Sequence, residues 1–263
     1  MLQLNYRVRN DGVPILKNKN IEDDAEYILS QYDDTLLTNP HPIDVEDFTE
    51  RFLGYNIHFE NLSFNGCIWG RMVFNNRRIL VYDPEKKDIA YRPIDENTVV
   101  IDNSLLEAPN EYAFRSTMIH ECGHGLYHSQ IYKENENQLS FFPTNNDEKI
   151  AITACRSSDV QGSGKRELIT KHDWIEHHAK YFSAAILMPR PAMHIVCYDK
   201  KLRDNKFLSP EMKLDLLTER VSDTFNVSPA SARIRINQLG YGIDNIKQRK
   251  LFTFENDETV YSI

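Results

Sequence analysis

The string Arg115-Ser-Thr-Met-Ile-His-Glu-Cys-Gly-His-Gly-Leu-Tyr-His128 constrains this chain more than any other stretch. Its chemistry makes sense on a helix, where residues four apart stand one turn above each other on the same face. His120 and His124 then offer imidazole nitrogens to a single ion. Glu121, about 100° further round, lies at the rim of that face and can act on a water as general base without being a ligand. The same wheel turns Met118, Cys122 and Leu126 to the opposite side, towards a core. Gly123 leaves room for another backbone to come close. A helix carrying two histidines can also be an ordinary surface helix, so a third ligand decides the matter.

Catalytic zinc sites hold the ion with three protein ligands and keep one position open. His128, a further turn along, would crowd three ligands onto one helix and reads instead as a surface residue or a support behind a ligand. The longer pattern HExxHxxGxxH is broken by Tyr127 and Gln130. The better candidate is Glu176, downstream. Thr170 and Asp173 form a capping box there, and Pro189 closes the helix. Glu176, Ala179, Ser183 and Leu187 share one face, and the small residues let this helix sit tightly against the first. His177 and His178 compete with Glu176, but the wheel turns His178 away. Both read as solvent-facing or core-edge histidines.

Composition narrows the setting. With 263 residues the chain is long enough to bury a core unaided. Its net charge of −8 and pI near 5.6 argue against massed basic contacts with nucleic acid. Cys67, Cys122, Cys155 and Cys197 are scattered, without a CxxC pair, which suits reduced thiols rather than a zinc knuckle or a disulfide framework. No signal-peptide core runs through the first residues, and the apolar stretch Phe182 to Pro189 is too short to span a bilayer. The expectation is a cytoplasmic protein without a membrane partner.

Along the chain, residues 1–20 read as a lead-in, with Asn20 capping a helix that begins at Ile21. A short helix follows near Val45 to Phe52. Runs at Tyr55 to Phe59, Gly70 to Phe74, Arg78 to Tyr82 and Thr98 to Asp102 predict strands of one small, mainly antiparallel sheet. Helices are predicted over Glu111 to Ser129, Lys171 to Leu187, Pro191 to Tyr198, Pro210 to Phe225 and Pro229 to Leu239, with a short strand near Lys149 to Thr153. The pattern is α+β, with a main domain over 21–205 and a helical region over 206–263.

Four stretches resemble the ImmA/IrrE metallo-endopeptidases of bacteria and their mobile elements. They are Ile21 to Phe52 with Pro42-Ile-Asp-Val45; Thr98 to Asp102 leading into Phe114 through His124; Trp174-Ile-Glu176-His-His-Ala-Lys-Tyr-Phe182 through Leu187-Met-Pro189; and Val221 to Gly240. The resemblance implies a zincin-like catalytic domain with Zn2+ on His120, His124 and Glu176. It also implies proteolysis of a helix-turn-helix (Xre-type) repressor or a related regulator. Cys122, Lys180 and Ser183 depart from the family's usual Leu, Asn and Ala. An oxyanion donor is sought among Tyr127, Arg156, His177 and Tyr181. The last two helices resemble a helix-turn-helix, but carry only Arg233 and Arg235 against Glu211, Asp215, Glu219 and Asp223, so packing or substrate docking is expected of them. Two rival functions stand beside the protease: a zinc-stabilised antirepressor that captures without cutting, and a DNA-binding regulator.

Overall fold

A computed structural model describes residue 4 and residues 6–75, 77–133, 155–156 and 168–242. The fold is α+β. Helix α1 (Asn18–Tyr32) comes first, followed by a single turn α2 (Thr35–Thr38) and a turn α3 (Val45–Asp47) that widens into a π-helical segment at Phe48–Phe52. Strands β1 (Asn56–Glu60), β2 (Ile68–Val73), β3 (Arg77–Asp83), β4 (Asp88–Ile94) and β5 (Thr98–Asp102) precede the long helix α4 (Glu111–Lys133). After the two-residue strand β6 (Cys155–Arg156) come α5 (Lys171–Leu187), α6 (Arg190–Cys197), α7 (Lys200–Asp204), α8 (Pro210–Phe225) and α9 (Pro229–Gln238).

Helix α1 starts three residues earlier than predicted. Asn20 still serves its start, but from the third helical position: its Oδ1 accepts from the Lys17 backbone N–H at 2.9 Å. The strands form two sheets rather than one. The first runs β1-β5-β2-β6, with β1 parallel to β5 and the other pairs antiparallel. The second is a β3–β4 hairpin. Strand β4 escaped the sequence reading because Pro93 interrupts the run Asp88–Ile94, and within a sheet proline is confined to edges, strand starts or bulges. Its turn is closed by Asp83, whose Oδ1 accepts from the N–H groups of Glu85 and Lys86 at 3.1 and 3.2 Å. The strand predicted near Lys149 to Thr153 lies outside the described residues, as do most of residues 134–167.

Helix α4 lies across β2 and β5, and α5 packs along α4. Helix α1 covers the other side of α5. One continuous core joins Ile21, Ile28 and Leu29 of α1 with Val99 and Ile101 of β5. It runs on through Met118 and Cys122 of α4 and Phe182 and Ile186 of α5, to Leu217, Val221, Phe225 and Ile236 of α8 and α9. Burying each such side chain contributes about 1.5–3 kcal/mol, so the C-terminal helices share the main core rather than carrying one of their own.

A buried charged knot ties them down as well. Arg235, wholly buried, donates to both carboxylate oxygens of Glu22 at 2.6 and 2.9 Å and to the Met188 carbonyl at 3.1 Å. Tyr181 donates to the same carboxylate at 2.9 Å. Arg233 pairs with Asp215 at 2.6 Å. Of the two cations on α9, Arg235 is thus locked in the interior, while Arg233 is held in a surface pair with Asp215. Among the described residues no helix is long and apolar enough to cross a membrane.

Candidate metal centre

The centre is built from α4 and α5. Helix α5 begins as the sequence dictates: Asp173 N–H donates to Thr170 Oγ1 at 3.1 Å, and Thr170 N–H donates to Asp173 Oδ2 at 2.8 Å. Helix α4 meets it at Gly123. A Cβ there would stand 3.1 Å from the Ala179 Cα and 3.1 Å from Phe182 Cδ1, so any side chain would push the two backbones slightly apart. Ser183 Oγ donates to the Ser116 carbonyl at 3.0 Å and so bridges the two helices. Cys122 points away from the site, as predicted. Its Sγ sits 3.3 Å from Thr49 Oγ1, and burial pushes its pKa up to about 12.

This approach brings His120, His124 and Glu176 together, all buried. His120 Nε2 and His124 Nε2 are 3.0 Å apart. Glu176 Oε2 lies 3.3 Å from the first and Oε1 lies 3.4 Å from the second. Four ligand atoms around a tetrahedral ion at 2.0–2.1 Å stand about 3.3 Å from one another. The two ring nitrogens, and each nitrogen with its nearer Glu176 oxygen, lie 3.0–3.4 Å apart, close to that spacing. Among the described residues no other three His, Cys, Asp or Glu side chains are grouped in this way.

The charges suit a cation. Burial by itself would raise the pKa of Glu176, but the two imidazoles against it win, and its carboxyl is held well below the usual carboxylate range. Burial likewise pulls His120 down, and the carboxylates of Glu176 and Glu121 outweigh it, so the net shift is upward. Glu176 Oε2 is buried with no hydrogen bond. An ionised carboxylate and two imidazoles turned on one point form a donor set that fits a divalent metal ion.

Glu121, fully buried, stands beside the trio without belonging to it. Strand β2 passes directly against it. A Cβ on Gly70 would fall 2.6 Å from Thr117 Cγ2 and 3.1 Å from both Cγ and Oε1 of Glu121. Gly70 thus lets the sheet press on the carboxylate and hold it, a constraint no local sequence signal announces.

The remaining sequence candidates fall elsewhere. Tyr127 donates to Asp24 at 2.8 Å, and burial followed by the Asp24 charge raises its pKa. Tyr181 is spent on Glu22. His177 Nε2 lies 2.8 Å from Asn18 Oδ1, on the α1 side, and burial lowers its pKa. The polar atoms of these three are engaged with Asp24, Glu22 and Asn18 of α1. Arg156 lies in β6, paired with Ile68 of β2, and its side chain is outside the described residues. His128 and His178 are both wholly buried, which excludes the surface alternative for each and leaves His128 as a support behind His124. Burial lowers the pKa of each, that of His178 to about 3. Tyr132 was passed over. It stacks on Phe74 with centroids 4.7 Å apart, and the charges of Glu176 and Glu121 add to burial in raising its pKa. Its aromatic surface reads as core in sequence, which hid its nearness to both carboxylates.

Gly123→Val should force α4 and α5 apart. Overpacking of this kind costs about 1–3 kcal/mol, read by chemical denaturation, and apparent metal affinity should fall with it.

Fold and site together define an α+β protein with a buried His-His-Glu cluster able to hold a metal ion. No protein-family model matches the chain, and no curated protein matches it.

Proposed function

We propose that the chain is a zinc-dependent endopeptidase with a zincin-like catalytic domain, and that it cleaves a helix-turn-helix transcriptional repressor or a related regulator. The observation that carries this reading is the convergence of His120, His124 and Glu176 from two separate helices, with Glu121 clamped beside them by β2. A zinc ion on those three residues supplies Lewis acidity, polarising a carbonyl and bringing the pKa of a water towards about 7. Glu121 takes the proton of the attacking water on its carboxylate and passes it to the departing amine. The resemblance of the sequence to ImmA/IrrE metallo-endopeptidases supports the same chemistry and supplies the substrate class. Burial of Arg235 and the pairing of Arg233 weigh against direct DNA reading.

Incubation of the protein with a panel of purified helix-turn-helix (Xre-type) regulators, with and without a chelator, tests the proposal. The expected result is cleavage that the chelator stops and added zinc restores. A regulator bound but left whole at full zinc occupancy would replace the protease with an antirepressor that captures its partner.

A further inference from the structure

From His124 runs a line of three imidazoles, His124, His128 and His178, that ends inside the protein. His124 turns Nε2 towards His120 and Glu176, while its Nδ1 lies 3.1 Å from His128 Nδ1. His128 Nε2 lies 3.4 Å from His178 Nδ1, the two ring planes 12° apart. The line stops at His178 Nε2, which is buried with no hydrogen-bond partner among the described residues.

A neutral imidazole carries one N–H and one lone pair, on different nitrogens. Three rings joined through these atoms have two self-consistent arrangements. In the first, His124 Nδ1 donates to His128 Nδ1, and His128 Nε2 donates to His178 Nδ1. His124 Nε2 then presents a lone pair to the trio. In the second, every bond is reversed, and His124 Nε2 carries a proton where an ion would bind. The usual partner of a ligating imidazole is a carboxylate or a backbone carbonyl, which can only accept. An imidazole accepts at Nδ1 only while its proton stays on Nε2. His128 therefore needs an acceptor of its own, and His178 Nδ1 stands in that place.

We propose that His128 and His178 are positioning residues that fix the tautomer of His124, holding its Nε2 ready as a lone-pair donor to the metal. This rests on the metal reading given above. The line explains why two histidines outside the trio are buried completely, and why they sit one behind the other.

Nitrogen-15 NMR of the zinc-loaded wild-type protein reads the tautomers directly. The expected pattern is a proton on Nδ1 of His124 and on Nε2 of His128. A proton on Nδ1 of His128 would overturn the proposal. Zinc affinity, measured by competition with a chelating dye, gives the second readout. His128→Leu removes the acceptor and should weaken binding about 10–100-fold. His128→Asn places Oδ1 where Nδ1 stood and should recover to within about threefold of wild type, since only the acceptor matters. His178→Leu should weaken binding less and mix the two tautomers of His128. Unchanged affinity in His128→Leu, or a loss in His128→Asn as large as in the leucine variant, sinks this inference alone. Absence of zinc uptake by the wild-type chain sinks the metal reading and this inference with it.

Discussion

Glu121→Gln is expected to keep the metal content of the wild type and to lose regulator cleavage by about 10²–10⁴-fold, the range general-base catalysis covers. The substitution preserves size, so the packing of the side chain against Thr117 and the Gly70 backbone survives. What disappears is a carboxylate able to take a proton. Because Glu121 stands outside the trio of converging donors, metal stoichiometry should not move. Elemental analysis of the purified variant and a cleavage assay with the regulator test the two halves separately. Turnover retained at the wild-type rate would remove Glu121 from the proposed mechanism.

Glu176→Ala should show the opposite pattern, with loss of the metal itself. Its carboxylate supplies two of the three close edges of the cluster, at 3.3 and 3.4 Å, and the only negative charge among the three donors. The alanine variant leaves two buried imidazoles facing each other at 3.0 Å. Affinity should fall by more than the roughly 100-fold seen when a group that merely supports a ligand is removed. The fold should persist, since α5 is held by the Gly123 contact, the Ser183–Ser116 bond and the shared core. Circular dichroism beside metal analysis separates the cases. Unchanged stoichiometry would mean that Glu176 is not a ligand.

The strong local signals carried most of the site. The spacing of His120 and His124, the Thr170–Asp173 box and Pro189 placed both helices, and Lys171–Leu187 begins and ends where predicted. Gly123 and Ala179 announced the close approach because a missing side chain is visible in sequence. Burial from distant chain was not visible. The wheel gave His178 an angle relative to Glu176 but not its covering. The covering comes from Trp174, from the far end of α4 and from the lead-in segment, where Arg9 lies 5.7 Å from the Trp174 ring. Tyr127 and Tyr181 stood among the candidate oxyanion donors as hydroxyl-bearing residues of the two site helices. Their hydroxyls were claimed by Asp24 and Glu22 of α1, more than a hundred residues away. The parallel pairing of β1 with β5 was equally hidden, because two short apolar runs do not state their direction.

The Arg235–Glu22 knot has a consequence for how the chain can be trimmed. A fragment ending at residue 205 would keep all three metal donors and Glu121, yet it would strand the Glu22 carboxylate beside Tyr181 without its cation. Orphaning one half of a buried ion pair costs about 3–5 kcal/mol, before counting the apolar surface bared where Phe225 and Ile236 were seated. The N-terminal half of α1 and helix α9 are thus fastened across more than two hundred residues, and nicking either segment loosens the helix that bears Glu176.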